Sequence, residues 1–169
     1  MCSTFAPGSF EGGQIGELEE RPGLSAGAWQ MQPLSRGYVE AKSNRPGDMP
    51  AINPRYPSEE SDRRAIIGGL RTARRIFAAR VLQRFVREET LPGTQVQSDD
   101  ELLDYARRNG STCYHASCTC LMGQHAMAVV TDASVMPAVT STNTNAPTIM
   151  IAEKGAAIIK TSAQEKLAA

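Results

Sequence analysis

The chain has 169 residues, enough for one domain with a core of its own and too few for two large ones. Lys plus Arg is 18 and Asp plus Glu is 18, a balance that gives no general pull toward nucleic acid or an anionic membrane. Hydrophobic residues make up 41% and aromatics 5%, which points to a lean core built from Ala, Val, Ile, Leu and Met. No apolar run is long enough to span a bilayer, so no integral membrane segment is expected. The stretch from Met1 to Gly13 lacks a basic n-region and an apolar h-region, so no signal peptide is expected either. Four cysteines, three of them between Cys113 and Cys120, do not form a secreted disulfide framework and point to a reducing, cytoplasmic setting.

The first 57 residues are rich in Gly, Pro and Ser. Strands are predicted at Gly27–Gln32 and Gly37–Lys42, with a short extended piece at Ala51–Asn53 among the prolines. The clearest helix starts near Ser58 or Ser61, either of which is a candidate N-cap, with acids in the first turn. Ile66, Leu70, Ala73, Phe77, Val81 and Phe85 recur at three- and four-residue steps and define one apolar face. The opposite face carries Arg63, Arg64, Arg71, Arg74, Arg75, Arg80, Arg84 and Arg87. It reads as a solvated surface, in preference to a site for nucleic acid or an acidic partner.

Leu91-Pro92-Gly93 ends that run. A second helix follows, with Ser98 and Glu101 spaced as a capping box and Asn109-Gly110 as its stop. Residues 112–145 are rich in Thr, Ser, Cys, Met and Asn and carry little charge, as a buried polar lining would. A last helix is predicted over Pro147–Lys160, with Pro147 in its first turn and a frayed tail from Thr161.

The chemistry-bearing residues concentrate in Cys113-Tyr114-His115-Ala116-Ser117-Cys118-Thr119-Cys120-Leu121-Met122-Gly123. Cys113, His115, Cys118 and Cys120 are the right types for zinc, but their spacing is poor: knuckle-type sites want cysteines two to four residues apart and a second such pair elsewhere in the chain. His115 is alternatively a general base, because imidazole is the natural acceptor of an alcohol proton near neutral pH.

The segment Tyr114–Gly123 is similar to the stretch around the active-site histidine of the glucose-methanol-choline (GMC) oxidoreductases, and its Cys-Thr-Cys variant looks closest to the choline dehydrogenase-like branch. Asp132-Ala133-Ser134-Val135-Met136-Pro137 resembles that family's flavin-contacting segment, and Thr142–Lys154 resembles its closing signature. Ser35-Arg36-Gly37-Tyr38-Val39 resembles a strand of its substrate domain. The resemblance implies an α+β chain: the C-terminal substrate (cap) domain of a GMC oxidoreductase, strands packed with several helices, without the N-terminal Rossmann-type FAD-binding half. Residues 1–111 would form the cap portion and residues 112–169 the active-site, flavin-facing segment.

It further implies oxidation of a small alcohol, with FAD taking the hydride at N5 and an unidentified electron acceptor. His115 aligns with the catalytic histidine, and Asn145 with a second active-site position beside it. Asp132, Ala133, Asn145, Ala146, Pro147 and Thr148 are the expected flavin-contacting residues, and no metal ligand is expected. The bland alternative for Asn145 is an ordinary N-cap.

The sequence departs from the family in two places. No Gly-x-Gly-x-x-Gly run occurs in the 169 residues, which makes Met1 an expected internal or misassigned start. Between Val130 and Thr131 a strand-forming stretch with a His-Gly pair, usual in the family, is absent. An inactive truncated remnant with no bound cofactor is therefore the alternative to an enzyme, and a small Cys/His metal module a more distant one.

Overall fold

A computed structural model describes residues 2–10, 17–115, 117–118 and 136–168. The chain divides into two compact units, Met1–Cys113 and Tyr114–Ala169.

In the first unit, β1 (Cys2–Ala6) pairs antiparallel with β2 (Ser25–Trp29), in a register that sets Thr4 opposite Gly27. A second two-stranded antiparallel sheet joins β3 (Tyr38–Glu40) to β4 (Ala51–Asn53), with Val39 opposite Ile52. The strand expected at Gly27–Gln32 begins earlier, at Ser25, and ends earlier, at Trp29; the one expected at Gly37–Lys42 shrinks to Tyr38–Glu40, and the piece at Ala51–Asn53 is a strand of those limits. Gly37 is required where it stands. A Cβ there would lie 2.1 Å from the Asn53 carbonyl oxygen and 2.6 Å from the Pro54 Cα, so only a hydrogen lets the two backbones approach.

Helix α1 (Glu60–Phe77) packs on β2 and on α3 (Asp99–Asn109). Its N-cap is Glu59, which makes no side-chain cap hydrogen bond, so neither Ser58 nor Ser61 takes that role. Capping comes instead from 24 positions upstream: the Ser35 hydroxyl accepts the Glu59 N–H at 3.2 Å. At the other end the periodic apolar face does not continue. Ala79 is extended (ψ 136°), and the chain restarts as the four-residue α2 (Arg80–Gln83). The break changes the phase of the helix, so Leu82 turns inward while Val81 and Phe85 stay exposed. Phe77 keeps its inward place, its ring 5.4 Å from that of Phe5 on β1.

Helix α3 forms as its local signals specify. Ser98 Oγ accepts the Glu101 N–H, Glu101 accepts the Ser98 N–H, and Gly110 closes the far end. The apolar side Leu102 and Leu103 is buried, Leu102 completely. The bond Leu91–Pro92 that precedes this helix is cis.

In the second unit, α4 runs Asn145–Ala168 and is longer at both ends than expected, with no fraying at Thr161. Pro147 sits in its first turn, where a missing N–H is harmless. No helix among the described residues is long and apolar enough to cross a membrane.

Candidate active site

His115 is exposed and follows Tyr114, whose φ of 61° lies in the left-handed region. Cys118, three residues on, has φ 66°. Such conformations cost an L-residue with a Cβ roughly 1–2 kcal/mol each, and they concentrate where a chain is bent to present a side chain. The two bracket His115. Among the described residues the imidazole makes no hydrogen bond.

Asn145 is the first residue of α4 and is exposed, as is Ala146; Pro147 and Thr148 are half-buried. The buried Thr144 occupies the cap position assigned to Asn145 in the bland reading. Its carbonyl accepts both the Thr148 N–H (3.0 Å) and the Thr148 hydroxyl (2.7 Å). With the turn closed by Thr144, the Asn145 side chain is released from capping. A helix start of this kind presents free N–H groups and the positive end of the dipole, and it suits an anionic or carbonyl acceptor such as the N1–C2=O edge of a flavin. Met136, in the stretch that leads to this helix, is buried.

Of the other residues singled out from sequence, Cys120, Asp132 and Ala133 lie outside the described residues. Cys113 and Cys118 are free thiols, the first exposed and the second half-buried beside the Ser117 hydroxyl at 3.4 Å. Among the described residues no group of three His, Cys, Asp or Glu side chains could hold a metal ion.

The sequence reading missed Asp62, whose only visible signal was its place among the first-turn acids of α1. Its carboxylate is 2% exposed. It accepts the Leu34 N–H at 3.0 Å, the Ser35 N–H at 2.7 Å, the Ser35 hydroxyl at 2.5 Å and the Gln30 amide at 3.3 Å. Burial works against its charge, but the hydrogen bonds from Ser35, then Leu34 and Gln30, outweigh it and hold the pKa below the usual aspartate value. One carboxylate thereby fixes the loop that leads into Ser35-Arg36-Gly37 and β3. Arg36 folds back to donate to the Pro33 and Ser35 carbonyls at 2.7 and 3.1 Å.

Arg74 forms a two-pronged pair with Glu89 (2.8–3.1 Å) and donates to the Gly93 carbonyl at 3.1 Å, tying α1 to the segment before α3. Burial, with help from Glu89, raises the pKa of the nearby Tyr105.

The chain is similar to known proteins along most of its length. Residues 33–152 match the family model for GMC oxidoreductase. The mitochondrial choline dehydrogenase of Mus musculus is 42% identical over 146 positions, covering 77% of this chain and 24% of the relative. The alcohol dehydrogenase [acceptor] of Pseudomonas putida is 40% identical over 141 positions, covering 75% of this chain and 26% of the relative. The crystal structure of pyridoxine 4-oxidase from Mesorbium loti superposes with a TM-score of 0.67 at 31% identity, over 79% of this chain and 28% of that one. The chain spans about a quarter of the length of the curated relatives it matches. It belongs to the GMC oxidoreductase family, as an α+β chain corresponding to the family's C-terminal domain.

Proposed function

We propose that this chain supplies the substrate-facing and flavin-facing parts of an FAD-dependent dehydrogenase acting on the CH–OH group of a small alcohol of the choline type. The observation that supports it best is the presentation of His115: an exposed imidazole bracketed by two left-handed residues. Residues 1–111 act as the cap over the substrate, and residues 112–169 face the flavin.

In this reading His115 accepts the hydroxyl proton at a ring nitrogen, or holds the oxygen as that proton leaves. Asn145 donates its side-chain N–H to the same oxygen and limits the positions the alcohol carbon can take. Bound FAD would supply the hydride acceptor, its N5. Asn145, Ala146, Pro147 and Thr148, with Asp132 and Ala133, would hold the reactive ring, the start of α4 favouring negative charge on it.

The test joins this chain to a flavin-binding half and restores the stretch missing after Val130. His115→Ala should then lower kcat with choline or a simple primary alcohol by about 10²–10⁴-fold, while the visible flavin spectrum is retained. Undiminished turnover in that variant would remove His115 from the chemistry.

For the isolated 169 residues, a visible spectrum after incubation with FAD and removal of the excess decides between two outcomes. A retained flavin band bleached by alcohol supports a working site. A colourless protein supports the remnant reading, in which catalysis needs the longer chain. Stoichiometric zinc in the purified protein would instead favour the metal module.

A further inference from the structure

The equality of basic and acidic residues hides a local excess. Residues 80–87 read Arg-Val-Leu-Gln-Arg-Phe-Val-Arg, spanning α2 and the turn after it. Upstream on α1, Arg64, Arg71 and Arg74 are each matched by an acid: Glu60, Asp99 and Glu89. Arg80, Arg84 and Arg87 are exposed and have no acid partner among the described residues. Glu89 is committed to Arg74, and the exposed Glu88 is the other acid next to this run in sequence.

Two apolar side chains protrude between these guanidiniums, Val81 at 74% and Phe85 at 64% exposed. Their outward direction is fixed by packing and hydrogen bonding. Leu82 points the other way into a groove of about 270 Å³ with Phe5, Ala73 and Ile76, and its carbonyl accepts the Phe85 N–H at 2.8 Å. The Arg84 guanidinium lies 4.6 Å from the centre of the Phe85 ring, so cation and ring are presented together.

We propose that residues 80–87 dock this protein on an anionic lipid surface. Arg80, Arg84 and Arg87 would engage headgroup phosphates, while Phe85 and Val81 enter the acyl boundary. Phosphate for the cations and hydrocarbon for the apolar pair are the two layers that a bilayer offers side by side. Nucleic acid would use the arginines but leave Val81 without a partner, and one face of the Phe85 ring is already covered by Arg84. A stable protein partner needs roughly 800 Å² on each side, more than eight residues with two apolar side chains supply. Binding of this kind is weak and reversible, and it uses residues other than His115 and Asn145.

The test is flotation of the full 169-residue chain at low salt with vesicles of phosphatidylcholine alone, or of phosphatidylcholine with about a third phosphatidylglycerol. Co-flotation is expected only with the anionic vesicles, and salt of about 0.5 M should release the protein as it screens the guanidiniums. Each Arg→Glu change should weaken binding at least about fivefold, and the triple change Arg80→Glu, Arg84→Glu, Arg87→Glu should abolish it. Val81→Ser with Phe85→Ser should weaken it about tenfold or more, a loss that a purely ionic attachment would not show. Unchanged Trp29 emission certifies that these surface variants remain folded.

Equal binding to both vesicle types, wild-type-like flotation of the triple variant, or no flotation of the wild type would each overturn the proposal. So would a dimer in sedimentation that Phe85→Ser dissolves without any flotation, which assigns the patch to a second copy. Retention on a nucleic-acid homopolymer without flotation would overturn it too.

Discussion

Asp62 is tolerated in the interior because its oxygens meet N–H and O–H donors from Gln30, Leu34 and Ser35. Asp62→Asn keeps the shape but turns one acceptor into an NH₂ facing backbone donors. The expected cost is about 1–3 kcal/mol, read from urea unfolding followed by Trp29, the chain's single tryptophan, on the adjoining β2. Because the folded pKa is depressed, the stabilisation from Asp62 is complete above the unfolded aspartate value, about pH 4, and disappears as pH falls through the lower folded value. Wild type and Asp62→Asn should therefore converge in stability at strongly acid pH and separate fully at pH 6. Ser35→Ala removes both the donor to Asp62 and the acceptor of the Glu59 N–H. A loss of about 1–2 kcal/mol is expected, whereas Ser58→Ala and Ser61→Ala should leave the same transition within about 0.5 kcal/mol.

What was legible in the sequence followed how local each signal is. The box at Ser98 and Glu101 lies within one turn, and the structure reproduces it in both directions. The start of α1 depends on Ser35, which is distant in sequence, so the nearer serines were the wrong candidates. Periodicity carried the α1 face correctly as far as Phe77 and then failed at Val81 and Phe85, because an extended Ala79 costs a helix little and leaves no mark in composition. That break makes a prediction about elements. Leu82→Ala should lower the stability of the first unit, because Leu82 closes the groove over Phe5 and Ile76, and Val81→Ala should not, though Val81 had the better helical spacing. A difference of at least about 1 kcal/mol in the Trp29-detected transition is expected, and equal effects would restore the continuous face. At the candidate site, His115 and Asn145 were visible only through ordered motifs, since nothing in spacing alone lifts an isolated histidine above a structural role.

At the level of the whole chain, the apolar inventory exceeds what its own elements cover. Among the described residues only Leu102, Leu103 and Met136 are buried hydrophobics. On α4, Ile149, Met150, Ile158 and Ile159 are each at least 55% exposed, and their spacing puts them all around the helix and not along one stripe. A helix apolar on every side belongs in the interior of something larger, which fits a chain spanning about a quarter of its relatives. The two-stranded sheets have the same deficiency, since among the described residues each leaves both outer edges without strand partners. The isolated chain should consequently bind a hydrophobic dye such as ANS and self-associate as its concentration rises. Ile158→Lys with Ile159→Lys, on a part of α4 beyond the residues matched to the family model, should reduce both without altering the Trp29-detected unfolding of the first unit. If dye binding and association persist unchanged in that variant, the exposed face of α4 is not the adhesive surface. The sheet edges would then be the next place to introduce a charge. If both fall, the same substitutions made in the chain joined to a flavin-binding half should become destabilising. A helix face that is free in this chain and covered beside a flavin-binding half must respond to lysine with opposite signs in the two settings.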